Sequence, residues 1–294
     1  MVSRSWRYVV ALAAVCFLPA CEHAGQAPAP SPAGSHGETP ISVEVNQSRD
    51  QYGKQAILIQ LTNNTEANLT VSDAVLRSNL FRGDITWRPE GGALNLPPKQ
   101  PKSLPATLPA ASCLSASDAP ITATIHYTDP AREPKTTSTD ASDPFNVLPR
   151  NSDELCLSAE AAATATIVLD PGLEVAPDGA TAVVRLVITP VGTSSGTAPG
   201  LTIESIDETT LLAEVPDDPW PRSVTVAANT APQVVPLRIR PARCDPHAVA
   251  EDKVGTLLPL RVTVGDRKGL LKVAASTELR GRIYDFVSTA CGTG

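Results

Sequence analysis

Long apolar runs, aromatic rings, histidines and closely spaced cysteines are all scarce in this 294-residue chain. The longest apolar stretch runs only from Tyr8 to Ala20. A helix needs about 20 apolar residues to cross a bilayer, so a multi-span helical membrane protein is excluded. Aromatics make up 4% of residues, and Trp87 and Trp220 are the only tryptophans beyond the N-terminal region. That is a small supply of ring platforms for a carbohydrate-binding surface. The four histidines are His23, His36, His126 and His247. No HExxH pair, GxSxG elbow, P-loop or GxGxxG fingerprint occurs, so no catalytic residue or cofactor is read from a motif. Formal net charge is −7. Both halves beyond the N-terminal region are mildly acidic, which argues against nucleic-acid binding through a basic field and against a polybasic membrane segment.

What is present at the N-terminus is a charged-then-apolar order: Arg4 and Arg7, then YVVALAAVCFLPA. That order reads as a secretory signal over residues 1–20. It ends in Leu18-Pro19-Ala20-Cys21, where the chain resembles bacterial cell-envelope lipoprotein precursors. The Ala- and Pro-heavy composition resembles that of a high-GC actinobacterium. The lipoprotein resemblance covers only the first twenty-one residues. It implies a diacylglyceryl anchor on Cys21 and a location on the extracytoplasmic face of the cell membrane; cleavage near Ala24 or Ala27, giving a secreted protein, is the alternative. Residues 21–40 follow as a tether. Rich in Ala, Pro, Gly and Ser, they lack the apolar side chains needed to fold, and their prolines favour extended backbone.

Of six cysteines, Cys16 falls in the signal and Cys21 is the lipidation candidate. Cys113, Cys156, Cys244 and Cys291 remain, an even set in an exported chain, which is the signature of disulfides. None of these four shows the short spacing usual for zinc. Four cysteines allow three pairings; the local one, Cys113–Cys156 and Cys244–Cys291, keeps each bridge inside one half and is the expected one.

The body of the chain reads as strands. Ile41, Val43 and Val45 alternate with polar residues, as do Ile121, Ala123, Ile125 and Tyr127. Period two with β-branched residues marks half-buried strands. Shorter candidates are 56–61, 69–76 and 84–88. The second half offers 163–169, 181–189, 201–206, 211–215, 223–227, 234–240, 258–264, 270–275 and 280–288. Asp245-Pro246 is a good helix start, so a short crossover turn precedes the strand at 258. No long amphipathic helix is expected. The fold class is all-β: two tandem antiparallel β-sandwich domains, 41–158 and 159–294, with immunoglobulin-like or similar Greek-key topology. Cysteine separations of 43 and 47 residues give a coarse internal echo, consistent with a tandem duplication. The connector falls at CLSAEAAA, residues 156–163.

Functionally, the sequence favours a non-enzymatic envelope protein that binds a partner or plays a structural part. An exported hydrolase or solute-binding protein with a site assembled from distant loops is the alternative, recognisable only by geometry. Asp245, His247, Glu251 and Asp252 form the best metal candidate and read as capping and surface residues; no metal site is expected. Asp84/Glu90 and Glu204/Asp207/Glu208 read as solvated turn carboxylates rather than a glycosidase pair. Asn46, Asn63 and Asn68 head N-x-S/T patterns and are expected at the surface. Arg238, Arg240 and Arg261 fall on the outward phase of two successive strands, with Arg243, Arg280 and Arg282 nearby. Guanidinium forks suit carboxylate or phosphate, so a basic face for an anionic cell-wall polymer or an acidic envelope protein is the candidate patch.

Overall fold

The computed structural model describes residues 39–113, 119–192, 200–227 and 230–292. Cys21, His23, His36 and the tether up to residue 38 lie outside these residues. Seventeen strands, three α-helices and one short 3-10 helix are assigned among those described.

The first half contains β1 (Ile41–Asn46), β2 (Ala56–Asn63), β3 (Leu69–Arg77), β4 (Ile85–Trp87), β5 (Leu94–Leu96), β6 (Lys102–Thr107), β7 (Thr122–Thr128) and β8 (Pro134–Ser142). One layer runs β4-β3-β7-β8, with β5 also on β3; the other runs β1-β2-β6. β8 joins them: it pairs antiparallel with β7 from Pro134↔Thr128 to Asp140↔Thr122, then parallel with β1 at Ala141↔Val43 and Ser142↔Glu44. The expected alternation holds, with Ile41, Val43 and Val45 of β1 and Ile57, Ile59 and Leu61 of β2 inside a core shared by both layers. Asn63 continues that inward phase and is fully buried, contrary to the surface position expected for it. Its side chain donates to the carbonyls of Ala67 and Leu96 and accepts from Thr65 N, so the amide closes a turn instead of meeting solvent.

The second half follows helix α1 (Val147–Thr164) with β9 (Ala165–Leu169), β10 (Glu174–Val175), β11 (Ala182–Pro190), β12 (Leu201–Ile206), β13 (Leu212–Glu214), β14 (Val224–Val226) and β15 (Gln233–Pro241). Helix α2 (Pro246–Ala250) then crosses to β16 (Leu257–Val264) and β17 (Arg267–Ala274), and α3 (Thr277–Ala290) ends the described chain. One layer is β10-β11-β15-β13 with β9 on β11; the other is β14-β12-β16-β17. A second core lies between them.

The two halves share one pairing scheme. β1–β2–β6 matches β9–β11–β15, β4–β3–β7–β8 matches β14–β12–β16–β17, and a helix follows each final hairpin. Even the bulge recurs: the register shifts between Val71 and Asp73 where β3 meets β7, and between Ile203 and Ser205 where β12 meets β16. Both disulfides form as expected, Cys113–Cys156 and Cys244–Cys291. Each ties the segment before the last hairpin of its half to the helix after it. Such bridges persist in an oxidising, extracytoplasmic setting. No helix among the described residues is long and apolar enough to cross a membrane.

Helices provide the main corrections. The connector expected at 156–163 lies inside α1, which carries the chain through position 158/159 without a break. Alanine, leucine and glutamate favour helix strongly over the extended state, and the start of α1 is capped from outside: the Asp143 carboxylate accepts from Val147 N at 2.7 Å and Leu148 N at 2.8 Å. Val147 and Leu148 join the first core while Leu157 and Ala161 join the second. The cores are distinct, yet Glu38–Gly294 clusters as one compact unit. The strand expected at 280–288 is instead part of α3. Its isoleucine, tyrosine, phenylalanine and valine suit a strand by composition, but Leu279, Ile283, Phe286 and Val287 are buried at helical spacing. Ser276 accepts from Leu279 N at 3.1 Å to start the helix.

Candidate functional site

A cleft of about 510 Å³ opens where the two halves meet, within the size range of small-molecule sites. One wall comes from the first half and α1. The turn Arg49–Gln51 is closed by Ser48, whose backbone N–H and hydroxyl both donate to Gln51 Oε1, and by Gln51 N donating to the Ser48 carbonyl, which presents Tyr52 with 38% of its surface exposed. The Arg150 guanidinium lies 5.6 Å and the Lys272 ammonium 5.2 Å from the Tyr52 ring centroid, both within cation–π range. Arg150 Nη2 donates to Gln47 Oε1 at 2.6 Å, and Gln47 Nε2 donates to Asn151 Oδ1 at 3.1 Å and to the Ala56 carbonyl at 2.9 Å. Lys272 is held by Glu154 at 2.6 Å. Glu154 and Arg150 are four apart on α1 and therefore share a face.

The opposite wall is built from the loops before β13 and β16. Thr209 donates to the Gly255 carbonyl at 2.7 Å, and Thr210 donates to Asp252. Asp252 also accepts from Gly255 N at 2.8 Å and from the Tyr284 hydroxyl at 3.0 Å. Burial, then the Asp252 carboxylate, pushes the Tyr284 phenol up to about 12. Gly255 is required by close approach: a Cβ there would stand 2.4 Å from Leu211 Cγ. Val254, Leu257, Pro259 and Leu270 supply the apolar lining, and Arg243 and Glu208 sit at the same cleft. A second recess of about 520 Å³ shares Arg150, Glu154 and Leu270, so the groove continues past α1.

The sequence-predicted residues fall elsewhere, with one exception. Arg238 and Arg240 are on β15 in one layer of the second half; Arg261 is on β16 in the other. Strands successive in sequence are separated here by the α2 crossover, so these arginines do not share a face. Arg238 pairs with Asp218 at 3.1 Å, Arg261 with Asp207 at 2.7 Å, and Arg240 donates to the Glu214 carbonyl at 3.1 Å. Arg280 and Arg282 are on α3 rather than a strand, and Arg282 pairs with Glu278 at 2.7 Å. Only Arg243 of the six lines the cleft. Tyr52, Arg150 and Lys272 were missed; their one local signal is the i, i+4 pair Arg150/Glu154, invisible without the helix.

His126 Nδ1 lies 2.8 Å from Asp73 Oδ1 beside the β3 bulge. The neighbouring Ser72 hydroxyl donates to the His126 carbonyl at 3.0 Å, not to the ring. Asp245 accepts from His247 N, and Asp252 is committed as above. No group of three or more His, Cys, Asp or Glu side chains among the described residues is arranged to hold a metal. Asp84 pairs with Arg77, Glu204 accepts from Thr263, Asp207 pairs with Arg261, and Glu208 accepts from Glu214 N. Trp220 is buried, its indole donating to the Arg238 carbonyl at 2.8 Å.

No family model matches the chain, and no curated relative matches it. Solved structures give remote likenesses. A protein of unknown function from Porphyromonas gingivalis aligns at 18% identity over 81% of this chain and 99% of that one, with a TM-score of 0.21. The E. coli chaperone DraB aligns at 10% identity over 81% and 97%, with a TM-score of 0.22. The Amycolatopsis orientalis exo-chitosanase CsxA aligns at 12% identity over 81% of this chain and 26% of that one, with a TM-score of 0.21. The chain thus spans about a quarter of the exo-chitosanase. Scores this low transfer neither ligand nor activity.

Proposed function

We propose that this chain is a lipid-anchored, non-enzymatic binding protein of the cell envelope, held off the membrane by its tether and using the cleft between its halves as the ligand site. The cleft carries the reading: its walls are held by partly buried hydrogen bonds and an ion pair, while Tyr52 and the apolar lining remain partly open to solvent. The two disulfides support an oxidising location. Lys272–Glu154 and Arg267–Glu160 brace the last hairpin against α1, favouring a preformed site over one assembled by large motion. The anchor rests on the Cys21 resemblance. Fractionation of cells making the wild type or Cys21→Ala, with mass spectrometry of the mature N-terminus, tests it. Wild type is expected in the membrane fraction with a lipidated Cys21, and the variant is expected to be released. An unmodified N-terminus beyond residue 21 defeats the anchor.

A further inference from the structure

We propose that the cleft recognises the free C-terminal carboxylate of an extended, apolar peptide. The inference rests on the cleft being the ligand site, and it adds the chemistry of what enters.

The charges around the cleft do not cancel. Its ionisable lining is Arg150, Arg243 and Lys272 against Glu154 and Glu208. Lys272 is neutralised by Glu154 at 2.6 Å. Glu208 already accepts a backbone N–H from Glu214. Arg150 spends one N–H on a neutral amide, Gln47, and otherwise faces the Tyr52 ring. Arg243 makes no ion pair among the described residues and is exposed. Glu208 keeps its negative charge, so three cations face two anions and the lining is net positive by one; neither Arg150 nor Arg243 makes an ion pair among the described residues, in a chain whose net charge is −7. Elsewhere the second half matches Arg185, Arg222, Arg238, Arg261, Arg267 and Arg282 to carboxylates, while Arg240 is satisfied by backbone carbonyls and Arg280, outside the cleft, makes no ion pair among the described residues. Guanidinium is weakly hydrated and offers a planar fork that fits a carboxylate, so an anion is the complementary partner.

The lining limits what carries that anion. Val254, Leu257, Pro259 and Leu270 offer apolar contacts beside the Tyr52 ring, which rewards an apolar body and leaves a heavily hydroxylated one poorly matched. The groove continues into the second recess, where Asn146, Asp153, Arg267 and Lys268 accompany Leu157 and Leu270. A path that combines apolar and polar surface suits a peptide, whose backbone needs partners and whose side chains need cover. It suits an alkyl chain poorly.

Isothermal titration of the full exported chain with an N-acetylated apolar tripeptide tests this, against the same tripeptide amidated at its C-terminus and against octyl phosphate. The acid is expected to bind at least tenfold more tightly than the amide. That preference should shrink as salt rises and should be lost in Arg243→Gln. Arg282→Gln, outside the cleft, should leave it unchanged. Arg150→Gln provides a second reading of the same charge. Equal affinity for acid and amide overturns the proposal, as does octyl phosphate binding more tightly than the acid, or no binding of the acid at millimolar concentration. Equal affinity that is lost for both tripeptides in Tyr52→Ala would still leave the cleft as a binding site, so that failure is separable from failure of the broader reading. The state of Cys21 is read independently.

Discussion

The Tyr284 hydroxyl on α3 donates to Asp252 Oδ2 at 3.0 Å, and the same carboxylate takes the Gly255 amide and the Thr210 hydroxyl. One carboxylate thus joins the last helix, the loop before β16 and the loop before β13. These three segments support the second wall of the cleft.

Tyr284→Phe is expected to cost about 1 kcal/mol, below the usual range for a hydrogen bond to a charged group, because the pair is partly open to solvent. The phenol is raised from 10.0 to about 12, by burial first and by Asp252 second. A folded-state value above the unfolded one means this stabilisation is complete below pH 10. It is lost as the pH climbs through 12. Guanidinium midpoints of wild type should therefore fall more steeply than those of Tyr284→Phe between pH 9 and pH 11.5. Parallel decline of the two proteins would show that Tyr284 carries no such linkage.

Gly255→Ala should destabilise the second half by about 1–3 kcal/mol, the range for forcing atoms into a packed site. The new methyl would meet Leu211 Cγ at 2.4 Å and both Asp252 carboxylate oxygens at 2.8 Å. Neither neighbour is a free side-chain end: Leu211 is fully buried and Asp252 is bonded on both oxygens. Thermal unfolding of the variant measures the loss. An unchanged midpoint would mean the loop shifts at no cost.

How much of this was legible in the sequence depends on the range of the signal. Strand alternation is local, so β15 and β16 were placed with the right faces: Val235, Leu237 and Ile239 inward, Leu260, Val262 and Val264 inward. Which layer a strand joins is not local, and that is why Arg238 and Arg261 were grouped when β15 and β16 belong to different layers. The disulfides were legible from spacing and compartment alone. Helix α1 was obscured because its small residues after Cys156 read as a connector, and because the Asp143 cap lies several residues ahead of the helical stretch. Without α1, nothing brings Arg150 to Tyr52, and without the β16–β17 hairpin against α1 nothing brings Lys272 to either. The cleft is a product of tertiary packing.

Removing each disulfide should be informative about the halves separately. The loops closed, 43 and 47 residues apart in sequence, are nearly equal, so the entropic part, typically about 2–4 kcal/mol, should be nearly equal too. The Cys113→Ala/Cys156→Ala pair is expected to cost more in total, because Cys156 is buried on α1 while Cys244 is exposed. Urea unfolding followed by circular dichroism makes the comparison. A greater loss from Cys244→Ala/Cys291→Ala would mean that the surface bridge restrains α3 beyond its loop entropy. Non-reducing peptide mapping supplies the complementary check, since a Cys156–Cys244 link is incompatible with either bridge.

Charge reversal at Arg238 and Arg261 separates a shared basic face from two independent surface pairs. Arg238 faces Asp218 and Arg261 faces Asp207, on opposite layers and with no partner in common. Exposed pairs of this kind contribute little, and sites that share no partner act additively. Arg238→Glu and Arg261→Glu are therefore each expected to lower the urea midpoint slightly, and the double variant should show the sum of the two shifts with the fold intact by circular dichroism. Both single variants should also bind the carboxylated tripeptide as wild type does, since neither residue lines the cleft. A double variant departing clearly from the sum would mean the two arginines communicate. Weakened peptide binding in either single variant would move the recognition surface out of the cleft and onto the outer faces of the second half.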